Sequence, residues 1–161
     1  MRIRNYDNAD WAQIWPFFHD IVEAQQTYAY DPDLSFDQAR DMWSADSHVV
    51  VAESDGTMLG SAKMGPNRPG PGAHVSTASF MVSSEARGRG VGRALGEYAV
   101  AWAREEGYAA MQFNAVVETN TAAVRLWQAL GFEIVGTVPR AFEHPVHGRV
   151  GLHVMYLEWR A

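Results

Sequence analysis

At 161 residues, with 47% apolar side chains, the chain has the size of one compact domain and enough material for a core without staples. The absence of cysteine excludes disulfide frameworks, thiolate catalysis and cysteine zinc sites, and a formal net charge of −6 argues against a general nucleic-acid binder. The opening MRIRNYDNADW lacks the apolar stretch of a secretory leader, and no apolar run reaches the ~20 residues that span a bilayer, so a cytoplasmic protein without membrane partners is expected.

MRIRNY reads as a short strand. Asp10 precedes a helical stripe of Trp11, Ile14, Trp15, Phe18, Ile21 and Val22, and Asp10 with Gln13 has capping-box spacing. A second helix is predicted over Phe36–Trp43 with Ser35 as its cap. In HVVVAESDGTMLGSAKM, two apolar runs flank Asp55-Gly56, a strong hairpin dipeptide. GPNRPGPG, residues 65–72, holds three of the seven prolines and reads as a long loop. Ser76–Val82 reads as a strand that runs into SSEARGRGVG. That segment opens a helix with Val91, Leu95, Tyr98 and Trp102 on one face, stopped at Gly107. MQFNAVV is the next strand. A helix over NTAAVRLWQALG then presents Ala123, Leu126, Trp127 and Leu130 and ends at Gly131. FEIVGTVP and VGLHVMYLEW read as two strands joined by a loop of about ten residues. Strands alternating with helices in the middle imply some parallel pairing, hence a mixed sheet with helices on its faces.

Arg87-Gly88-Arg89-Gly90-Val91-Gly92 lies between an apolar strand and an amphipathic helix. A helix N-terminus presents unpaired N–H groups and partial positive charge, and glycines let a ligand approach the backbone. The combination suits phosphate or pyrophosphate, and Arg87, Arg89 and Arg93 add charge. A plain strand–helix turn has the same composition. Two other phosphate loops fail on detail. A Walker loop needs Gly-Lys followed by Ser or Thr, where Gly92 is followed by Arg93 and Ala94. A Rossmann fingerprint needs different glycine spacing and an acid after the next strand, which here carries Asn114.

RGRGVG fits a motif of Gln or Arg, two residues, Gly, one residue, then Gly or Ala, with Arg87, Gly90 and Gly92 in place. A second motif is met downstream by Asn120, Ala123, Leu126, Trp127, Gly131 and Phe132. On these two motifs and the order of the flanking strands, the chain resembles the GCN5-related N-acetyltransferase superfamily over nearly its whole length. The resemblance implies an α/β (α+β) fold: a mixed, mostly antiparallel sheet of about seven strands with four helices, the fourth and fifth strands splayed apart. It implies acetyl-CoA as acyl donor, a small amine as acceptor, and no metal. A homodimer is compatible with it.

By the same resemblance the pyrophosphate rests on the amides of Arg87, Gly88, Arg89, Gly90, Val91, Gly92 and Arg93. Backbone groups of Phe80, Met81 and Val82 hold the pantetheine, and a backbone N–H near Met81 or Val82 is the expected oxyanion donor. Asn120 contacts the cofactor arm, although it is also a good helix N-cap. Family members often carry a Tyr acid where this chain has Trp127, whose indole is no acid near neutral pH. Trp127 is expected to fill core space or to wall the thioester. A Glu base is often found on or near the strand before the glycine loop. That strand offers no carboxylate here, Glu85 just beyond it reads as solvated, and His74 is a weak alternative. His144 and His147 lack a third ligand of obvious spacing.

Asn114 interrupts an apolar strand, so it is either a satisfied structural amide or a substrate-facing group. FNAVVETN…RLWQALGF is also similar to acetyltransferases that act on azetidine-2-carboxylate, in which an asparagine on this strand orients the substrate. That likeness makes a small amino acid or cyclic secondary amine the leading acceptor class. Tyr28, Tyr30 and Phe36 either shape its pocket or pack in the core. The competing readings are a peptide or protein N-acetyltransferase and a non-catalytic acetyl-CoA sensor.

Overall fold

Along His48–Ser54 buried side chains alternate between two clusters. Val49 and Val51 pack with Trp11, Ile14, Phe18 and Trp43, whereas Val50 and Ala52 pack with Leu95, Ala99, Met111 and Met155. A strand buried on both faces must lie inside a sheet covered by helices on each side. The computed structural model, which describes residues 1–159, has that architecture. Its strands are β1 (Arg2–Asn5), β2 (His48–Ser54), β3 (Thr57–Pro66), β4 (Val75–Val82), β5 (Ala110–Val117), β6 (Glu133–His144) and β7 (Gly148–Glu158). They form one sheet in the order β1-β2-β3-β4-β5-β7-β6, antiparallel except for β4 with β5. Helices α1 (Trp11–Ala24) and α2 (Phe36–Ser44) cover one face. Helices α3 (Val91–Glu105) and α4 (Thr121–Ala129) cover the other. None of the helices among the described residues is long and apolar enough to cross a membrane.

Local signals account for most of the elements. Ser35 and Gln38 form a reciprocal capping box at the start of α2. Asp55 and Gly56 take positive φ of 52° and 80°, as a two-residue hairpin requires. Three expectations are corrected. The first capping box belongs to Asp7 and Asp10, around a 3-10 turn one step before α1, and Asp10 is held there by Arg4. Gly65 and Pro66 belong to β3, paired with Thr77 and Ser76. Proline is tolerated because β2 has already ended opposite Met64, so its missing N–H costs no ladder bond. The expected ten-residue loop before the last strand is instead mostly ladder. Phe142, Glu143 and His144 pair with Val150, Arg149 and Gly148, and only residues 145–147 turn. Burial of Phe142 against Val117 and Val150 anchors the pairing, and Arg140 at φ 52° takes up a register shift.

Candidate functional site

The parallel pair at the centre of the sheet comes apart. β4 and β5 are in register at Val75↔Ala110 and Ser76↔Met111, and at no later position. The Ser76 hydroxyl donates to the Ala110 carbonyl at 2.9 Å and fastens the closed end. From there residues 77–82 and 112–117 diverge, while β5 stays paired with β7 through a bulge between Phe113 and Val116. On the α3/α4 face Trp127 bridges the opened seam, its ring centroid 4.8 Å from both Phe80 of β4 and Phe113 of β5. The indole fits because residue 96 of α3 is glycine: a Cβ there would meet Trp127 at 2.8 Å and Leu130 at 2.9 Å. Trp127 is buried at the wall of the seam.

A parted strand exposes its polar edge. The Ser83 N–H donates across to the Leu59 carbonyl of β3 at 2.8 Å, so alternation turns the Met81 peptide toward β3 and those of Phe80 and Val82 toward the seam. The expected Met81 donor is therefore committed to the ladder, and the seam-facing amides are those of Phe80 and Val82. Both polar groups of Phe80 meet one hydroxyl. Tyr28, from the segment between α1 and α2, accepts the Phe80 N–H at 2.9 Å and donates to the Phe80 carbonyl at 2.6 Å. Its ring stacks on Tyr30 at 5.2 Å, and Tyr30 stacks on Phe18 at 6.1 Å. Burial pushes both phenols above the ordinary value of 10, so both keep their protons at neutral pH. Phe36 does not join them. It is 39% exposed and lies at the far end of α1, beside Trp11 and Trp15.

At the open end of the seam the chain turns into α3. Gly88 and Gly90 adopt φ of 76° and 75°, a left-handed conformation that a side chain would strain. The first helical return is Ala94 N–H to the Gly90 carbonyl, and no side chain caps the helix, so the amides of Val91, Gly92 and Arg93 stay free. Arg87 and Arg89 are exposed, while Arg93 pairs with Glu97 at 2.8 Å. A Cβ on Gly92 would lie 3.4 Å from Leu126 and 3.9 Å from Val82, which measures how closely this turn abuts α4 and the end of β4. Asn120 caps α4, its side-chain oxygen accepting the Ala123 N–H at 3.3 Å. Beside it the Thr119 hydroxyl is buried without a partner among the described residues.

On the α1/α2 side the seam is spanned by amides. Gln112 donates to the Asn114 oxygen at 2.8 Å, and Asn114 donates to the Asn67 oxygen at 2.7 Å. The contact ties β5 to the loop that leads into β4. Asn114 is exposed on the β5 bulge, so it is not a buried structural amide. His74 lies elsewhere: it is exposed in the turn just before β4, six residues ahead of Phe80. Glu85 is exposed in the turn after β4. His144 accepts the amides of Val146 and His147 and so holds the β6–β7 turn. The partners that the sequence did not disclose are Tyr28 at Phe80 and Asn67 at Asn114. A lone Tyr and a lone Asn in loops carry no periodic signal.

The comparisons with known proteins agree with this geometry. A solved GCN5-related N-acetyltransferase from Kribbella flavida is 59% identical, with a TM-score of 0.95 covering 98% of this chain and 97% of that one. A Salmonella typhimurium protein solved with its cofactor acetyl-CoA is 27% identical, with a TM-score of 0.87 over 100% of this chain and 95% of that one. N-acetyltransferase aca1 of Schizosaccharomyces pombe is 26% identical over 159 residues, covering 88% of this chain and 73% of its own length. The acetyltransferase (GNAT) family model matches residues 14–132, from the first turn of α1 through the split strands and the glycine loop to just past α4. A match of that extent over those elements establishes that the chain belongs to the acetyltransferase (GNAT) family.

Proposed function

We propose that the chain transfers the acetyl group of acetyl-CoA to the amine of a small molecule, an amino acid or a cyclic secondary amine of the proline-analogue type. The observation that carries the donor half is the seam itself. Two parallel strands separate after Ser76↔Met111, expose the Phe80 and Val82 peptide edge, and end at a helix N-terminus with free amides. A thin acyl–pantetheine arm fits such a strand edge by peptide-like hydrogen bonds, and its pyrophosphate fits the turn from Arg87 to Arg93. Asn120 caps α4 at the corner after β5, and we assign its amide to the arm as well. The acetyl-CoA-bound Salmonella relative supports this choice of donor.

The acceptor half rests on the amide chain. The Asn114–Asn67 hydrogen bond spans the α1/α2 side of the seam, which favours a compact amine over an extended peptide. Asn114 retains a free lone pair and a free N–H with which to orient an acceptor. The site supplies positioning and hydrogen bonds rather than a strong acid or base. Holding amine and thioester in attack geometry is worth up to ~7–11 kcal/mol, and a well-placed oxyanion donor ~3–4 kcal/mol. The seam-facing N–H of Phe80 is the donor we assign, with that of Val82 for the arm. The leaving CoA thiolate is stable enough to depart without a protein acid.

Release of CoA thiol from acetyl-CoA, measured across amino acids, cyclic secondary amines and short peptides, tests the reading. Turnover is expected with small amines and to fall with peptide length. Turnover confined to peptides would overturn the acceptor assignment, and acetyl-CoA binding without any turnover would identify a sensor.

A further inference from the structure

We infer that the Tyr28 hydroxyl is a catalytic group of this site: a second donor, beside the Phe80 N–H, to the acyl oxygen on which charge develops. The inference rests on the acetyl-CoA reading above. Its ground is the pair of hydrogen bonds at Phe80, with the hydroxyl oxygen 2.9 Å from the amide nitrogen and 2.6 Å from the carbonyl oxygen. A hydroxyl that accepts the Phe80 N–H occupies the place of a hydrogen-bond acceptor at this edge. An acyl oxygen that approaches the same N–H shares it with the fixed hydroxyl oxygen and arrives within reach of the same O–H. The proton now given to the Phe80 carbonyl then turns to the incoming oxygen by rotation about the phenol C–O bond.

Three further features fit the role. The ring is held by its stack on Tyr30, itself stacked on Phe18, so the hydroxyl is fixed before substrate arrives. Its burial keeps the phenol protonated throughout the working pH range, which makes it a donor and not a base. On the opposite side of the seam stands Trp127, which brings an indole and no hydroxyl. In the reaction the amine nitrogen bonds to the acyl carbon and the carbonyl π pair moves to oxygen, where the Phe80 N–H and Tyr28 O–H receive it. The pair returns as the C–S bond breaks, the thiolate leaves with its electrons, and the amine proton passes to water. Tyr28 keeps its own proton throughout.

The test is Tyr28→Phe, read three ways. Loss of one oxyanion donor is expected to lower kcat by about a hundredfold. The Kd for acetyl-CoA is expected to stay within about threefold of wild type, because the stack and the Phe80 N–H remain. In the absence of amine, the infrared carbonyl stretch of bound acetyl-CoA labelled with carbon-13 at the carbonyl should move to higher frequency in the variant, since one hydrogen bond is gone. Replacing all six tyrosines by 3-fluorotyrosine, a more acidic phenol, should move the same band to lower frequency, and this reading does not depend on the variant folding. An unmoved band in either protein, or a kcat loss matched by equal losses of affinity and melting temperature, makes Tyr28 a packing residue and overturns the inference. Wild-type protein that fails to bind acetyl-CoA overturns the donor reading instead.

Discussion

Gly90 tests the phosphate cradle, because strain and charge can be separated there. Its φ is 75°, and nothing lies within 4 Å of where a Cβ would stand. Alanine at 90 therefore meets no clash and carries only the cost of a left-handed residue, ~1–2 kcal/mol. Aspartate carries no more strain than alanine, because its short polar side chain tolerates that region better. What it adds is a carboxylate within ~5 Å of any phosphate held on the amides of Val91–Arg93, and one unit-charge repulsion at that distance is worth ~3 kcal/mol at an effective dielectric constant of ~20. Gly90→Asp is thus expected to bind acetyl-CoA about a hundredfold more weakly than Gly90→Ala, which itself binds somewhat more weakly than wild type. Isothermal titration at low and high salt provides the assay, with the melting temperature of each variant as the control for folding. The gap between Asp and Ala should narrow as salt screens the repulsion. If the two folded variants bind within about threefold of each other, no phosphate sits at this turn and the assignment of Arg87–Arg93 fails.

Trp127→Phe keeps most of the apolar wall between Phe80 and Phe113, so kcat should fall less than about tenfold; a drop beyond a thousandfold with stability intact would mean that the indole N–H acts in the transition state. Asn114→Ala removes an exposed amide with two side-chain contacts, so the melting temperature and acetyl-CoA affinity should hold while kcat/KM for the amine falls at least about tenfold. Unchanged acceptor kinetics would end its substrate-orienting role. Arg4 holds the carboxyls of Asp10 and Glu53 below their ordinary values of 3.8 and 4.5 through hydrogen bonds. Depressed carboxyl pKa values contribute stability that is present above the unfolded values and lost as pH falls through the folded ones. Arg4→Met should therefore melt below wild type at pH 7, with the two curves converging as pH falls below the ordinary carboxyl values; a gap independent of pH would refute this.

The parts of the fold legible in the sequence are those set by near neighbours. The Asp55-Gly56 turn, the Ser35 cap and the stops at Gly107 and Gly131 each follow from a few consecutive residues, and each is found. The glycine loop was readable for the same reason, since positive φ at Gly88 and Gly90 is a local demand. The β6–β7 hairpin is hidden in the sequence because Pro139, Pro145 and Gly148 look like breakers, whereas Phe142 regains the ladder through contacts with Val117 and Val150. The seam has no local signature at all; it follows from a family resemblance and not from pattern. Its decisive contacts are long-range. Tyr28 stands 52 residues from Phe80, and Asn67 stands 47 from Asn114. The alternation that turns Met81 away from the seam depends on a long-range partner too, the Leu59 carbonyl that takes the Ser83 N–H.

The seam also explains why so little acid–base machinery is needed. A parted strand inside a sheet leaves peptide groups that must find partners, since an orphaned buried N–H or C=O costs as much as a lost hydrogen bond. Water or a neighbouring side chain normally fills that need. At Phe80 the chain fills it with a phenol that both donates and accepts, as a substrate's acyl group or amide would. The edge is therefore kept extended and polar before any ligand binds. An electrostatic site of that kind acts because its dipoles are already aligned when charge appears, and not because a proton moves. That is the chemistry a thioester asks for: its leaving group departs unprotonated, so the step that needs help is the build-up of charge on oxygen. A site whose buried phenols, Tyr28 and Tyr30, are both held protonated is arranged for that step. The amine must then arrive already deprotonated, and its proton must leave to solvent, which the exposed Asn114 side of the seam permits.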